Sequence, residues 1–160
     1  MMMKHHLIKI LLLALLILPT VSKAQQQVDQ NQVSIRAFYS SFAVICQSPN
    51  FDDFYKQYTA LLNEYASNSF KQSVLLEIDD PNSSAADIAT DDNGIQAQYL
   101  GNLKVEKRGA YYLVRYPIYD SDEKKYIEIG LKITLDSHGK IQSVTGSYTK
   151  EIKTPTDLNK

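Results

Sequence analysis

Cysteine and histidine are scarce in this chain of 160 residues, which has one cysteine, Cys46, and three histidines. One cysteine cannot form an intramolecular disulfide, so we expect packing rather than cross-links to hold the fold. Phe42 and Ile45 beside it predict a helix face where the thiol acts as a small hydrophobic group. A catalytic thiol would need a base nearby, and beyond the N-terminal segment only His138 remains, in a predicted turn.

Common catalytic and ligand-binding motifs are also missing. The sequence has no glycine-rich phosphate loop, no serine-nucleophile motif and no paired-cysteine metal site. Aspartates are frequent in residues 79–94, and their oxygens are ligands that calcium accepts. The alternating acids and distal glutamate of a calcium loop are absent, however, and residues 91–94 are better explained as a turn. We therefore predict neither a metal nor a cofactor.

The chain lacks a run of about 20 apolar residues, the length that spans a bilayer. It begins instead with basic residues, a shorter apolar run over 11–18, a break at Pro19 and small residues up to Ala24. This order is typical of a secretory signal peptide. We expect cleavage near Gln25 and export of a soluble chain to the periplasm or the exterior. An uncleaved membrane anchor is the alternative.

A cluster of basic residues is not evident in the sequence. Without residues 1–24 the chain has 14 basic and 18 acidic side chains, a formal charge of −4. The basic residues do not group as a phosphate-tracking groove requires, so we predict no nucleic-acid partner. The 136 residues that follow the leader suit one domain with one core.

Three helices are predicted in the first half of the chain. Apolar residues at steps of three and four mark the first, over 32–47: Ile35, Phe38, Phe42 and Ile45. The second follows Asn50, an expected N-cap with two aspartates in the first turn. The third is expected over 68–76, behind a cap at Ser67 or Asn68. A loop over 79–94 follows, and its length makes it a place to look for a site.

Four strands are predicted after this loop, over 96–107, 110–119, 126–135 and 141–149. Their connections have hairpin length, so we expect an antiparallel meander. Pairing the middle strands across Asp122 and Glu123 sets Tyr119 opposite Tyr126 and Val114 opposite Leu131. This register gives one apolar face and one polar face. We expect the apolar face to include Tyr112, Tyr116 and Tyr148.

The predicted fold is α+β: three N-terminal helices packed on one face of a curved four-stranded antiparallel meander, cone-like in shape. Its element order resembles the cystatin-like, nuclear-transport-factor-2-like fold. Three local phrases, I-R-A-F-Y at 35–39, Asp80-Pro81 and the hairpin over 108–133, resemble exported bacterial domains of unknown function in that superfamily. The likeness covers most of residues 33–149 and implies a fold, with no assigned activity.

A pocket between helices and sheet is implied by the resemblance, because enzymes with this fold place an aspartate beside a histidine or tyrosine there. Five residues are candidates to line such a pocket: Tyr112, Tyr116, Tyr148, Asp79 and Asp80. A buried tyrosine hydroxyl needs a partner, and an aspartate at the mouth would supply one. The alternative is that these tyrosines are core-edge residues with their hydroxyls in water.

The polar face of the sheet provides a second candidate site. It combines charged and aromatic side chains, as protein interfaces do: Arg115, Glu128, Lys132, Tyr119 and Tyr126. The alternative is a solvated face with cross-strand ion pairs. A homodimer joined through this outer face is a further hypothesis.

The leading functional hypothesis is an exported soluble module, not an enzyme, that binds a protein or a small ligand in the cell envelope. The alternative is a small pocket enzyme that uses tyrosine and aspartate as proton carriers. The predicted division of the chain is a signal peptide over 1–24, a flexible lead-in over 25–31, one cone-fold domain over 32–150 and a frayed tail over 151–160.

Overall fold

The computed structural model describes residues 28–80, 88–91 and 94–159. The predicted signal peptide and most of the predicted loop lie outside these ranges. The helices are α1 (Gln30–Ile45), α2 (Phe51–Tyr65) and α3 (Asn68–Asp79), and the strands are β1 (Lys104–Arg108), β2 (Tyr111–Asp120), β3 (Lys125–Leu135) and β4 (Ile141–Ile152). Two 3-10 helices, Ala97–Asn102 and Pro155–Asn159, flank the sheet in sequence.

The predicted α+β fold is confirmed. Three helices precede one open antiparallel sheet with the order β1-β2-β3-β4. The core joins residues of all three helices to the inner face of the sheet, with Phe38 and Phe42 from α1 and Ile129 and Leu131 from β3 almost fully buried. None of the helices in the described ranges is long and apolar enough to cross a membrane.

Side-chain caps fix where the helices begin. The Asn50 side chain accepts a hydrogen bond from the backbone N–H of Asp53 at 2.8 Å, as an N-cap does, and Ser67 accepts one from Phe70 at 3.2 Å. Both predicted caps are confirmed. The third helix runs three residues beyond its predicted end, to Asp79.

The start and end of α1 differ from the prediction. Asp29 caps the helix by accepting from the backbone N–H groups of Asn31 and Gln32, so residues 29–31 are ordered and not part of a flexible lead-in. The helix ends at Ile45, and Cys46 is exposed at its C-cap. The prediction of a buried thiol was wrong, because the stripe of Phe42 and Ile45 ends one residue before it.

The central hairpin has the predicted register. Val114 pairs with Leu131 and Tyr119 with Tyr126. Tyr112, Val114 and Tyr116 therefore share the inner face with Ile129 and Ile133, and all five are buried. The outer face carries the alternate residues of both strands, among them Arg115 and Glu128.

The first predicted strand was too long. Residues 97–102 form a 3-10 helix, and β1 begins only at Lys104. The end of β2 consequently has a strand beside it on the β3 side only, and none on the β1 side. The Gln96 side-chain amide takes that place, donating to the Tyr119 carbonyl at 3.1 Å and accepting from the Tyr119 N–H at 3.0 Å. One side chain thus satisfies backbone groups that a strand partner would otherwise bond.

A bulge in β4 overturns the placement of Tyr148 on the inner face. Leu131 pairs with Gly146 but Gly130 pairs with Tyr148, so Ser147 is one extra residue on β4. Because strand side chains alternate, this insertion moves Tyr148 to the outer face. The sequence prediction assumed a strand without a bulge.

Residues 151–159 continue β4 and form a second 3-10 helix, where the sequence predicts a frayed tail. Strand β4 continues to Ile152, which pairs with Tyr126, and the second 3-10 helix contacts β2, β3 and the first 3-10 helix. Leu158 in this helix is 3% exposed. It is buried apart from the main core cluster, at the end of the sheet where Tyr126 lies.

Candidate functional site

The residues predicted to line a pocket fall into three different environments. Tyr112 and Tyr116 are buried in the core, where Tyr116 lies 6.5 Å from Tyr39 between ring centres. Asp79 is exposed at the end of α3, and Asp80 is exposed at the cap that follows. Tyr148 is on the other face of the sheet. The structure therefore does not gather these five residues into one site.

Two tyrosine–carboxylate pairs form with partners that the sequence did not predict. The Tyr112 hydroxyl donates to Asp29 Oδ2 at 3.0 Å, which ties the N-cap of α1 to the sheet. Asp79 accepts from the Tyr55 hydroxyl at 3.4 Å on the exposed side of the helices. Only the spatial closeness of the α1 N-terminus and β2 identifies the first pair, and the sequence gives no local signal of it.

The outer face of the sheet holds a connected polar network. Arg115 Nη1 donates to Glu128 Oε1 at 3.3 Å, and the Tyr148 hydroxyl donates to the same oxygen. Arg115 Nη2 donates to Glu106, which also accepts from Arg108. Four strands contribute to this network, because Glu106 and Arg108 lie on β1, Arg115 on β2, Glu128 on β3 and Tyr148 on β4.

Glu128 is the buried member of the network. The residue is only 5% exposed although it lies on the face opposite the core. A buried carboxylate is tolerated when it is paired and hydrogen-bonded, and Arg115 and Tyr148 supply both conditions. Arg115, whose side chain is 22% exposed, connects this buried acid to the more accessible Glu106.

The electrostatics of the network follow from burial and pairing. Burial, then the hydrogen bond and the negative charge of Glu128, raise the pKa of Tyr148 to about 12, and Arg115 opposes this rise only in part. Burial acts to raise the pKa of Glu106, but hydrogen bonds from Arg115 and Arg108 outweigh it and leave that pKa below its usual value. The network thus pairs arginine with carboxylates and keeps Tyr148 protonated around neutral pH, while the buried Nε of Arg115 has no hydrogen-bond partner among the described residues.

Tyrosines border the network along the same face. Tyr126 packs against Tyr119 at 5.0 Å and against Tyr99 of the first 3-10 helix at 5.9 Å, measured between ring centres. At the other end, the Lys132 ammonium lies 5.0 Å from the centre of the Tyr111 ring, a cation–π distance. All five predicted interface residues therefore share this face, which we call the outer-face site: Arg115, Glu128, Lys132, Tyr119 and Tyr126.

The described residues form several concave regions at the surface of the fold. A shallow groove of about 620 Å³ runs between α1 and α2, with Val44 and Leu61 on its walls. A smaller depression of about 230 Å³ borders Tyr148, Gly130 and Asp91. Within the described ranges no group of three or more histidine, cysteine or acidic side chains is arranged to hold a metal ion.

Comparison of the chain with protein-family models, with curated proteins and with solved structures returned no match.

Proposed function

We propose that the protein is an exported, soluble binding module that engages a partner protein through its outer-face site. The observation that carries this proposal is the Arg115–Glu128–Tyr148 network. It fixes an arginine and a tyrosine, two residue types enriched at interface centres, on a sheet face opposite the helices. Tyr119 and Tyr148 in addition are each 37% exposed, so aromatic surface is accessible on this face.

Preorganisation is the physical advantage of such a surface. A side chain that is already held in one rotamer loses less entropy when a partner binds. Arg115 is held by two carboxylates, and Tyr148 is held by Glu128 and by its contact with the Gly130 backbone. The outer-face site therefore presents a rigid centre with tyrosines around it.

Export is the second element of the proposal. The basic start, apolar run and small-residue sequence at 1–24 support it, and so does the resemblance to exported domains of the nuclear-transport-factor-2-like superfamily. The order of three helices followed by an antiparallel meander is compatible with that superfamily. Membership of the superfamily is thus part of the proposal.

Site-specific photo-crosslinking in the producing cells tests the use of the outer face. A photoreactive phenylalanine analogue replaces Tyr119 on the outer face or, as a matched aromatic control, exposed Phe51 on α2. We expect a discrete adduct from position 119 and none from position 51. Adducts from position 51 alone, or from neither position, would refute binding through this face. Fractionation of the same cells, with the full chain detected in the cytoplasm alone, would refute export.

A further inference from the structure

The outer face is basic although the whole chain is slightly acidic. The strand register places seven charged side chains on this face, five of them cationic and two of them carboxylates. They are Lys104, Glu106, Arg108, Arg115, Glu128, Lys132 and Lys150. These strand side chains therefore have a formal charge of +3, with Asp91 beside Tyr148 outside the count, whereas the chain has −1. The sequence alone does not show this concentration of positive charge on one face, because the cations lie on four different strands.

Both carboxylates on this face are already engaged. Glu106 bonds Arg108 and Arg115, and Glu128 bonds Arg115 and Tyr148. Lys104, Lys132 and Lys150 make no ion pair with any residue that the structure describes. The Tyr111 ring under Lys132 orients this lysine without neutralising its charge.

The position of Lys104 adds to the unbalanced charge. It is paired directly across the strands with Arg115. Like charges in directly opposed positions disfavour each other in a sheet, and Glu106 and Glu128 offset the charge of Arg115 but leave that of Lys104 unpaired. An incoming negative charge would pair with Lys104. Lys150 similarly lies opposite Glu128, whose carboxylate is turned to Arg115 and Tyr148 instead.

We propose that the outer face binds an acidic segment of a partner protein, with carboxylates meeting Lys104, Lys132 and Lys150. The proposal rests on the proposed function and specifies its partner. The three lysines span from β1 to β4, about 14 Å across three strand spacings. Arg115, the most evident cation in the sequence, serves in this arrangement to hold the face rigid, since its charge is already paired.

Other occupants fit this charge pattern less well. A second copy of the chain would bring a face of the same positive charge against the first, which electrostatic complementarity disfavours. Membrane-surface binding typically uses clusters of roughly four to eight basic residues, and nucleic-acid binding about six to ten phosphate contacts. Three lysines without an ion pair on the described face are fewer than either needs.

A matched pair of triple variants tests the proposal on the full mature chain. One carries Lys104→Gln, Lys132→Gln and Lys150→Gln on the outer face. The other carries Lys56→Gln, Lys71→Gln and Lys124→Gln, which remove the same charge from α2, α3 and the β2–β3 turn. The probe is a fluorescein-labelled peptide of alternating glutamate and glycine, followed by anisotropy. Measurements are made at about 10 mM and about 0.15 M salt, where the Debye length is about 30 and 8 Å.

We expect the outer-face variant to bind the peptide roughly tenfold more weakly at low salt, the sum of three modest charge contacts. The control variant should remain within about twofold of the parent, because none of its lysines belongs to a strand of the outer face. If both variants bound the peptide equally weakly, the net charge of the protein alone would explain the loss of affinity, and the proposal would be overturned. So would absence of peptide binding at low salt, or tighter binding of a single-stranded DNA of equal charge.

The two proposals can fail separately. A partner that crosslinks at position 119 equally well in the parent and in the outer-face triple variant would support the outer face as a binding surface and reject the acidic segment. Absence of crosslinking at position 119, together with lysine-dependent peptide binding, would instead reject the proposed use in cells.

Discussion

The ring of Tyr148 lies over the backbone of Gly130 on the neighbouring strand. A side-chain carbon on Gly130 would stand only 2.5 to 2.8 Å from three atoms of that ring. The bulge at Ser147 causes this approach, since it turns Tyr148 to the outer face directly opposite Gly130. The glycine therefore allows the tyrosine to reach Glu128, and the buried acid depends on a residue without a side chain.

Gly130→Ala should consequently disturb the polar network. The added methyl group must displace the Tyr148 ring, which would break its hydrogen bond to Glu128. We expect a loss of about 1–3 kcal/mol in the free energy of unfolding, the usual cost of forcing an extra carbon into a packed site. Urea unfolding of the purified protein measures it.

Gly101→Ala is the matched control for this substitution. A side-chain carbon at Gly101 would meet no atom within 4 Å. Its effect should be close to neutral, or slightly stabilising through a less flexible unfolded chain. Equal effects of the two substitutions would show that the ring of Tyr148 does not depend on Gly130.

Tyr148→Phe should remove a pH-dependent part of the stability. The pKa of Tyr148 is raised to about 12, compared with about 10 for an unfolded tyrosine. A raised pKa means that the folded state holds the proton more tightly. The stability this adds is fully present below about pH 10 and falls as the pH rises through 12. We expect the difference in unfolding free energy between the parent and Tyr148→Phe to shrink over that range.

The unfolding free energy of Tyr148→Phe is subtracted from that of the parent because other tyrosines ionise in the same pH range. The phenylalanine ring preserves the packing over Gly130, so the difference isolates the hydroxyl and its bond to Glu128. A parent-minus-variant difference that stays constant from pH 9 to above pH 12 would contradict a raised pKa for Tyr148.

The features of the fold that the sequence predicts are those determined by residues that lie close together in the chain. The alternation of apolar residues in β2 and β3 was enough to predict their register and the outer position of Arg115. The cap at Asn50 was likewise readable from its neighbours. In each case the residues that decide the structure are close in the chain or repeat with the period of the strand.

The missed features depend on non-local packing. One extra residue, Ser147, reversed the face of Tyr148, and a bulge of this kind has no reliable pattern in the sequence. The first strand begins eight residues later than predicted, at Lys104, and the side chain of Gln96 bonds the end of β2 in place of a strand. Asp29 lies in the predicted flexible lead-in although it caps α1 locally, and its bond to the sheet is non-local because Tyr112 is 83 positions away.

Arg115→Met should destabilise the fold by leaving Glu128 without a cation. Removing one member of a buried pair costs about 3–5 kcal/mol, and the partial exposure of Arg115 favours the lower end. The double variant Arg115→Met/Glu128→Gln should recover more than half of the loss. A neutral amide needs no cation, and its oxygen still accepts from Tyr148.

Together with the parent and the single variant Glu128→Gln, these two variants form a double-mutant cycle measured by urea unfolding. A favourable coupling of at least about 1 kcal/mol between positions 115 and 128 is expected for an interacting pair. Additive losses would mean that the ion pair between them contributes nothing to stability, and the rigid centre assigned to the outer-face site would lose its support.

Leu158→Ala tests whether the C-terminal segment belongs to the folded domain. Leu158 is 3% exposed, so truncating it should cost about 2–3 kcal/mol in unfolding free energy through lost burial and the cavity left behind. Leu76→Ala makes the same chemical change at a site that is 71% exposed on α3, and it should alter stability by less than about 0.5 kcal/mol. If Leu158→Ala proved as mild as Leu76→Ala, the tail would fray as its polar sequence suggests, and the end of the outer face near Tyr126 would be open to a partner.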